Sequence, residues 1–354
     1  MKKLILFACC AMATMQGNAQ VASDNPMRSK IDSVVQKASL SFMKNPGKVA
    51  LSVGVIYNGA FYKYNYGETA PGSGQLPSSN TLYEIASITK TFTALLMAHA
   101  ISEKKIDLND DIRKYLKGNY PNLQYANGQK VKIAYLLSHI ARFPRVIKSN
   151  DSPVTADEFY TALHAVKLDT LQPYRYSYSN FGYQVLGHIL ENAYGLTYSQ
   201  LVEKYITGPL DMPGTKLYAT GQVSLIKGYN SDKKITPETA ISYPAAGGLR
   251  SDLDDMLKYA DAQLKEQDPV IKQTHRFMFA SDDGGSEAMP WSIGRTRDWD
   301  YFQREDGGSK GFRTMVTTFP ECNIGIVLLS NETDNNAGGQ LWDMTTAILN
   351  ALKK

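Results

Sequence analysis

Strand-like patterns stand near both ends of this chain, and helical patterns fill the residues between them. The segment VALSVGVIYNGAFYKYNYGE, residues 49–68, is rich in β-branched and aromatic residues on either side of Asn58-Gly59, a dipeptide typical of a tight hairpin turn. GFRTMVTTFP, residues 311–320, and NIGIVLLSN, residues 323–331, predict further strands. Because each strand must bury an apolar side, we expect the two ends to form one sheet with a helical subdomain inserted between them.

Helical periodicity predicts three helices outside that middle region, at Lys30–Met43, Leu253–Leu264 and about Leu341–Leu352. No internal repeat and no low-complexity linker divides the chain. We therefore predict an α/β (α+β) fold over residues 20–354. Its sheet subdomain would comprise about 20–85 and 250–354, and its helical subdomain about 86–249.

The first nineteen residues have the pattern of an export signal. Two lysines precede an apolar run over residues 4–15, and GNA, residues 17–19, has the spacing of small residues at a cleavage site. We predict a signal peptide over 1–19, a mature protein beginning at Gln20, and a periplasmic or extracellular location. A lipoprotein using Cys9 is the alternative, but the apolar run before Cys9 is shorter than the roughly 7–15 residues that a signal needs.

Charge and cysteine content argue against several classes of protein. The chain has 38 basic and 34 acidic residues, and removal of the two lysines of the signal leaves 36 against 34, a formal charge of +2. This balance gives no argument for nucleic acid or a membrane surface as a partner. Cys322 is the one cysteine after the signal, so no internal disulfide is expected. No zinc-binding motif and no further apolar run near the ~20 residues of a membrane span occurs, and we expect neither metal nor cofactor.

A single charge interrupts the most apolar helical segment. Between Glu84 and Glu103 the one fixed charge is Lys90. Burial lowers the pKa of a lysine, which can then act as a base. Ser87 lies three residues earlier, on the same face of a helix, and a serine hydroxyl needs such a base to become a nucleophile. The pair predicts a nucleophile and its proton acceptor, while a lysine that reaches solvent from a helix start remains the structural alternative.

The spacing alone is weak evidence, since Ser-x-x-Lys occurs five times, beginning at Ser41, Ser87, Ser102, Ser224 and Ser231. The lysines of the other four copies stand in polar or charge-rich surroundings, which predicts solvated surface positions for them. Only Lys90 is embedded in an apolar run.

A second candidate segment is YRYSYSNFGYQVLGHILENAYG, residues 174–195. Apolar spacing from Phe181 predicts a helix that Asn180 could cap, with Tyr178 in the loop before it. A tyrosine beside a cationic lysine can exchange protons, and an asparagine can hydrogen-bond a lysine or a substrate carbonyl. Tyr-x-Asn also occurs at Tyr120 and Tyr125, and in a chain with 22 tyrosines packing is the alternative for each.

The third candidate segment is REDGGSKGFRT, residues 304–314. Its glycines permit close approach of the backbone, so the N–H groups of Gly308 and Ser87 could bind an oxyanion. GGSKG also matches the Gly-x-Ser-x-Gly of α/β-hydrolases, with Ser309 as nucleophile, but that fold needs a later histidine and none follows. A glycine-rich hairpin is the plain alternative. His139 is most simply a helix-packing residue.

Together and in this order, these segments resemble the serine β-lactamase and penicillin-binding protein family, in its branch of class C-like β-lactamases, D-alanyl-D-alanine carboxypeptidases and esterases. YEIASITKTFTALL resembles the Ser-x-x-Lys helix of the family and YSYSNFGYQVLGHILE its Tyr-x-Asn segment. LNDDIRKYL, VKIAYLLSHIARFP and PAAGGLRSDLDDM are also similar. The likeness runs from about Val49 to Asn331.

The resemblance implies roles for these residues and an antiparallel sheet flanked by helices. Ser87 would form the acyl-enzyme, Lys90 would be its proton partner, Tyr178 the general acid and base, and Asn180 a positioning group. One position departs from the family: aligned on Gly307, Glu305 falls where members carry lysine or histidine. A carboxylate there would disfavour an anionic acyl-D-alanine or penicillin.

The sequence thus predicts a secreted serine hydrolase that acts on a small-molecule or peptide ester or amide, rather than a dedicated β-lactamase. Two alternatives remain open. The acyl group could pass to an alcohol or amine, which would make the protein an acyltransferase. A non-catalytic protein could also use the scaffold to bind ligands, although a pure binder has no need of a lone lysine in an apolar helix.

Overall fold

The computed structural model describes residues 21–147, 153–168, 175–219, 221–280, 286–334 and 336–354, and the predicted signal peptide lies outside these ranges. The α-helices are α1 Lys30–Met43, α2 Thr89–Ser102, α3 Ile133–Leu137, α4 Ala156–Ala165, α5 Asn180–Tyr194, α6 Tyr198–Val202, α7 Pro244–Gly247, α8 Leu253–Lys265, α9 Pro269–Thr274 and α10 Ala337–Leu352. The strands are β1 Ala50–Tyr57, β2 Ala60–Gly67, β3 Tyr83–Glu84, β4 Lys216–Leu217, β5 Tyr229–Asn230, β6 Leu249–Ser251, β7 Phe279–Ala280, β8 Ser286–Glu287, β9 Ser292–Arg295, β10 Tyr301–Gly308, β11 Arg313–Phe319, β12 Ile324–Ser330 and β13 Glu332–Thr333.

The main sheet unites the two ends of the chain, which confirms the predicted fold. Its strand order is β2-β1-β12-β11-β10-β9-β8-β7, and neighbouring strands are antiparallel. Strand β1 from the beginning of the chain pairs with β12 near its end, with Val53 opposite Leu328. The hairpin between β1 and β2 turns at Asn58 and Gly59, whose φ angles of 52° and 76° match the left-handed turn that this dipeptide favours.

Each face of the sheet is covered by helices. On one face α1 and α10 pack on alternate residues of the central strands, such as Val53, Val55 and Leu328. On the other face α8 packs closely on β1, where a Cβ at Gly54 would lie 2.8 Å from the Leu257 side chain. That second face continues into the large core of the helical middle region. The sheet is therefore the middle of three layers.

The three predicted helices lie at the expected positions in the chain, but two of them are longer than predicted. Helix α1 has the predicted bounds, and α8 extends one residue beyond them. Helix α10 begins at Ala337, four residues before the predicted start, because the AGGQ segment at 337–340 adds little apolar periodicity. The helical middle also contains a small sheet of order β3-β6-β4 that the pattern did not predict. Among the described helices, none combines the length and apolar character needed to cross a bilayer.

Candidate active site

Ser87 lies in a tight turn at the start of the most buried helix. A 3₁₀ turn over Ala86–Ile88 connects the short strand β3 to α2. Ala86 has a φ of +46°, a left-handed conformation that a non-glycine residue rarely adopts. Such strain persists only where the surroundings enforce it, and it is concentrated at functional sites. The turn places the Ser87 side chain at the positive end of α2.

Lys90 is removed from water, and it lies next to the Ser87 hydroxyl. Its side chain is 0% exposed, and its Nζ lies 3.1 Å from the Ser87 Oγ. The same Nζ donates to the Ala246 carbonyl oxygen in α7 at 2.6 Å. Burial lowers the pKa of Lys90 to about 7, although the nearby Glu305 opposes this shift. A substantial fraction of the amine is therefore neutral near pH 7.

In the other four Ser-x-x-Lys copies the lysine differs from Lys90 in its exposure to solvent, as the sequence predicted. Their lysines are all exposed: Lys44, Lys105, Lys227 and Lys234. Burial thus separates Lys90 from every other lysine at this spacing.

Tyr178 completes a three-residue contact around the Ser87 hydroxyl. The Tyr178 Oη lies 2.6 Å from the Ser87 Oγ, and the Lys90 Nζ lies 4.8 Å from the centre of the Tyr178 ring. Burial raises the pKa of Tyr178 well above its ordinary value, and the charge of Glu305 raises it further. Tyr178 is therefore a protonated phenol at neutral pH, which makes it an acid rather than a resting base.

A loop that follows α3 holds Tyr178 in place. The His139 carbonyl oxygen accepts from the Ser177 N–H at 2.7 Å, and the His139 Nδ1 accepts from the Ser179 N–H at 3.1 Å. The ring of His139 packs on that of Tyr178 at 4.5 Å between centres. Burial holds the pKa of His139 well below its ordinary value, so the ring stays neutral.

The ring of His139 also packs on Tyr183 of α5 at 4.9 Å between centres, as predicted for a helix-packing residue, and its loop in addition orders the Tyr178 segment. The same loop supplies Arg145, whose carbonyl oxygen accepts from the Asn180 N–H at 3.0 Å and whose guanidinium lies 5.1 Å from the Tyr178 ring centre. Sequence reasoning missed both contacts. The one available signal was a polar residue directly after the apolar run of α3.

Asn180 is the first residue of α5 and faces the site without contacting Lys90 through a hydrogen bond. The helix is capped by Ser179, whose Oγ accepts from the Gly182 N–H, so the predicted capping role of Asn180 was wrong. The Oδ1 of Asn180 is buried and has no hydrogen-bond partner among the described residues. The predicted hydrogen bond between Asn180 and Lys90 is therefore absent from the described contacts.

Gly307 and Gly308 end strand β10 against the turn that carries Ser87. A Cβ at Gly307 would lie 2.2 Å from the Ile85 carbonyl oxygen and 2.3 Å from the Thr314 Oγ1, so only glycine fits there without displacement. Gly308 lines the same two cavities as Ser87. The close approach predicted for this segment is present.

Two cavities flank Ser87. The first, of about 290 Å³, is called here the Asn180 cavity and is also lined by Asn180, Tyr243 and Lys310. The second, of about 380 Å³, is called here the Tyr178 cavity. Its charged and aromatic lining consists of His139, Arg145, Tyr176, Tyr178, Glu287, Glu305 and Asp306. Ser87, Gly308 and Arg313 line both cavities.

Glu305 brings a carboxyl group to the edge of this site, at the position where the family resemblance led us to expect a cation. It is half-buried in β10 and has no ion pair with a basic residue in the described ranges. Burial raises the pKa of Glu305 well above its ordinary value, and the neighbouring Asp306 raises it further. Ser309, the other serine considered, lies at the turn between the antiparallel strands β10 and β11, which is not the strand-to-helix turn of an α/β-hydrolase nucleophile.

Comparison with known proteins agrees with this fold. The family model described as Beta-lactamase matches residues 36–351. A beta-lactamase of Providencia stuartii is 26% identical over 348 residues, which cover 86% of this chain and 87% of that protein. The D-alanyl-D-alanine-carboxypeptidase/endopeptidase AmpH of Escherichia coli strain K12 is 25% identical over 356 residues, covering 92% of this chain and 90% of that protein.

Solved structures show the same architecture. The crystal structure of a beta-lactamase/D-alanine carboxypeptidase from Yersinia pestis, complexed with citrate, superimposes with a TM-score of 0.81 at 24% identity, covering 92% of this chain and 99% of that chain. The fold and site define a serine hydrolase of the β-lactamase-related class, which acts through an acyl-enzyme. The chain belongs to the Beta-lactamase family.

Proposed function

We propose that this chain cleaves an ester or amide through an acyl-enzyme on Ser87, as an esterase or D-alanyl-D-alanine peptidase-like enzyme rather than a dedicated β-lactamase. One observation carries the proposal. The Ser87 hydroxyl lies 3.1 Å from a buried amine with a pKa of about 7 and 2.6 Å from a buried phenol. A base and an acid on one hydroxyl are the parts that acyl transfer requires.

Acylation begins with the neutral amine of Lys90. It accepts the Ser87 proton while its N–H bond to the Ala246 carbonyl holds it in position. The Ser87 Oγ attacks the substrate carbonyl carbon, and the N–H groups of Ser87 and Gly308 stabilise the oxyanion. The phenol of Tyr178 gives its proton to the leaving alcohol or amine, and the proton on Lys90 then restores the phenol. Ser87 is left as an ester.

Deacylation repeats these steps with water. A water molecule gives a proton to the Lys90 and Tyr178 pair and attacks the acyl carbon. The Ser87 Oγ leaves and is protonated, which releases the carboxylic acid and restores the starting state.

The position of the acid supports one assignment of the two cavities. A general acid must lie beside the atom that it protonates, so the leaving group occupies the Tyr178 cavity. The acyl group then occupies the Asn180 cavity, where the unpartnered Oδ1 of Asn180 can accept a hydrogen bond from a donor in the acyl portion, such as an amide N–H.

Glu305 and Asp306 oppose efficient β-lactam hydrolysis. Both line the leaving-group side, and a penicillin or an acyl-D-alanine would bring a carboxylate next to them. Like charges at short distance in a partly buried site oppose binding.

We also propose that the protein is exported after cleavage before Gln20, on the basis of its signal-like first nineteen residues. N-terminal sequencing of the protein from the producing cell tests this. We expect the mature protein to begin at Gln20. An intact Met1 would contradict export by this signal.

The direct test of activity is a panel of p-nitrophenyl esters, a chromogenic cephalosporin and an acyl-D-alanyl-D-alanine peptide. Each is given to the wild type, to Ser87→Ala and to the matched control Ser309→Ala. We expect ester turnover that is lost only in Ser87→Ala. Efficient cephalosporin turnover would contradict the argument from Glu305, and equal rates for wild type and Ser87→Ala would contradict the nucleophile.

A further inference from the structure

Three carboxyl groups line the Tyr178 cavity, the proposed leaving-group side of the site. Glu287, Glu305 and Asp306 line it on the side of the sheet. Glu305 and Asp306 are adjacent in β10, and neither forms an ion pair with a basic residue of the described chain. Neighbouring carboxyl groups that lack an ion pair repel each other, and a positive group bound beside them would relieve that repulsion.

Among the described residues, the arginines that line the same cavity form no ion pair with Glu305 or Asp306. Arg313 donates from its Nη1 to the carbonyl oxygens of Ser309 and Phe312, each at 2.9 Å. The guanidinium of Arg145 lies over the Tyr178 ring. Each arginine is therefore held by groups other than Glu305 and Asp306.

A second observation marks the cavity as a binding site. His139 lines it and is 3% exposed, yet its Nε2 has no hydrogen-bond partner in the described ranges. Because the Nδ1 accepts from the Ser179 N–H, the Nε2 of the neutral ring carries the hydrogen. A buried donor without a partner is costly, and an acceptor atom of a bound leaving group would satisfy it.

From the carboxylates and the unpartnered donor, we infer that the Tyr178 cavity selects substrates whose leaving alcohol, thiol or amine carries a cationic group, which pairs with Glu305 and Asp306. This inference rests on the proposed function, since it assigns the leaving group to that cavity. The raised pKa of Glu305 is consistent with it, because an arriving cation restores the ionised carboxylate.

The test compares three thioacetates that differ in the charge of the leaving thiol. S-acetylthiocholine carries a cation, 3,3-dimethylbutyl thioacetate is its neutral counterpart of the same shape, and S-acetyl-3-mercaptopropionate is an anion. Thiol release in the first turnover is recorded with enzyme in excess, so that slow deacylation does not affect the result. Each enzymatic rate is first divided by the rate at which hydroxide cleaves the same thioester. The resulting value is then divided by the corresponding value for the neutral thioester.

The wild type should prefer the cation over the neutral thioester by about tenfold or more, and the anion should be the poorest substrate. The ratio should fall towards one in the double variant Glu305→Gln with Asp306→Asn, and Glu305→Lys should favour the anion. Glu321→Gln is the matched control, because it removes an exposed acid at the far end of β11 and should keep the wild-type ratio.

Two results would overturn the inference while the proposed function stands. One is a wild-type ratio of one or less with rapid thiol release. The other is a preference for the cation that the double variant retains. If no thiol is released and a fluorophosphonate also fails to label Ser87, the proposed function fails and the inference fails with it. Thermal unfolding of each variant shows whether a lost preference reflects a lost fold.

Discussion

The Nζ of Lys90 lies 3.1 Å from the Oγ of Ser87, and the amine is completely buried while the hydroxyl borders two cavities. The helix sets this relationship, since residues three apart lie on one face. Burial then sets the chemistry, because it shifts the pKa of the amine into the range where the neutral form is populated. The reactivity of Ser87 therefore depends on the exclusion of water from the amine of Lys90.

Replacement of Lys90 by methionine should remove the base with little change in volume. We expect kcat/KM for a p-nitrophenyl ester to fall by about 10³-fold, as befits loss of a general base. The matched control is Lys105→Met in the Ser-x-x-Lys copy at the end of the same helix, where the lysine is exposed. An equal loss of kcat/KM in the two variants would show that catalysis does not depend on the burial of Lys90.

The same substitution should stabilise the fold, most strongly at low pH. The pKa of Lys90 is about 7 in the folded protein and near 10.4 in an unfolded chain, so the unfolded state binds more protons between these values. Below pH 7 the wild type carries the full cost of a buried cation, and this cost shrinks as the pH rises. The advantage of Lys90→Met in free energy of unfolding should therefore fall by about 1.4 kcal/mol per pH unit from 7 to 10. Urea denaturation at several pH values measures it, and a constant difference would contradict the assignment.

Tyr178→Phe should remove the acid while keeping the ring that packs on His139. We expect a loss of about 10² to 10⁴ in kcat/KM, because the leaving group must then depart without its proton. The loss should be smallest for p-nitrophenyl esters, whose leaving group needs the least help. Tyr120→Phe is the matched control, since Tyr120 also begins a Tyr-x-Asn and its hydroxyl donates to the Lys117 carbonyl oxygen rather than contacting Ser87. An unchanged rate for an alkyl ester in Tyr178→Phe would rule out this role.

Gly307→Ala should displace β10 from the turn that carries Ser87. The new Cβ would meet the Ile85 carbonyl oxygen at 2.2 Å, a contact that only movement can relieve. We expect about a 10- to 100-fold loss in kcat, because the Gly308 N–H moves relative to the oxyanion. Gly294→Ala in strand β9 is the control, since Gly294 lines neither cavity and a Cβ there would meet the Phe302 side chain at 3.1 Å rather than backbone. Crystal structures of the two variants would check the displacement, and an active Gly307→Ala with β10 unmoved would refute the prediction.

The sequence predicted the parts of the site that depend on short-range spacing. Ser87 lies in the 3₁₀ turn that leads directly into α2, the helix of Lys90, so their contact follows from a separation of three residues. The joining of β1 to β12 was also predictable, because strands at both ends need a common sheet. The apolar run around Lys90 predicted its burial.

Long-range contacts were beyond the sequence pattern. The carbonyl that holds Lys90 belongs to Ala246, 156 residues later, and no side chain marks a backbone acceptor. The loop at His139 reaches Tyr178 through backbone groups for the same reason. Strand β10 was not predicted, because its polar residues at 303–306 obscure the alternation of apolar and polar residues that marks a strand. Its pairing with β9 and β11 stabilises it.

The rate at which a fluorophosphonate labels Ser87 between pH 5 and pH 9 tests the central claim most directly, with the modified residue located by peptide mass spectrometry. A buried amine with a pKa of about 7 predicts labelling at Ser87 alone, at a rate that rises about tenfold per pH unit below 7 and levels off above it. A rate that does not change with pH across this range, or a label that persists in Ser87→Ala, would contradict the account.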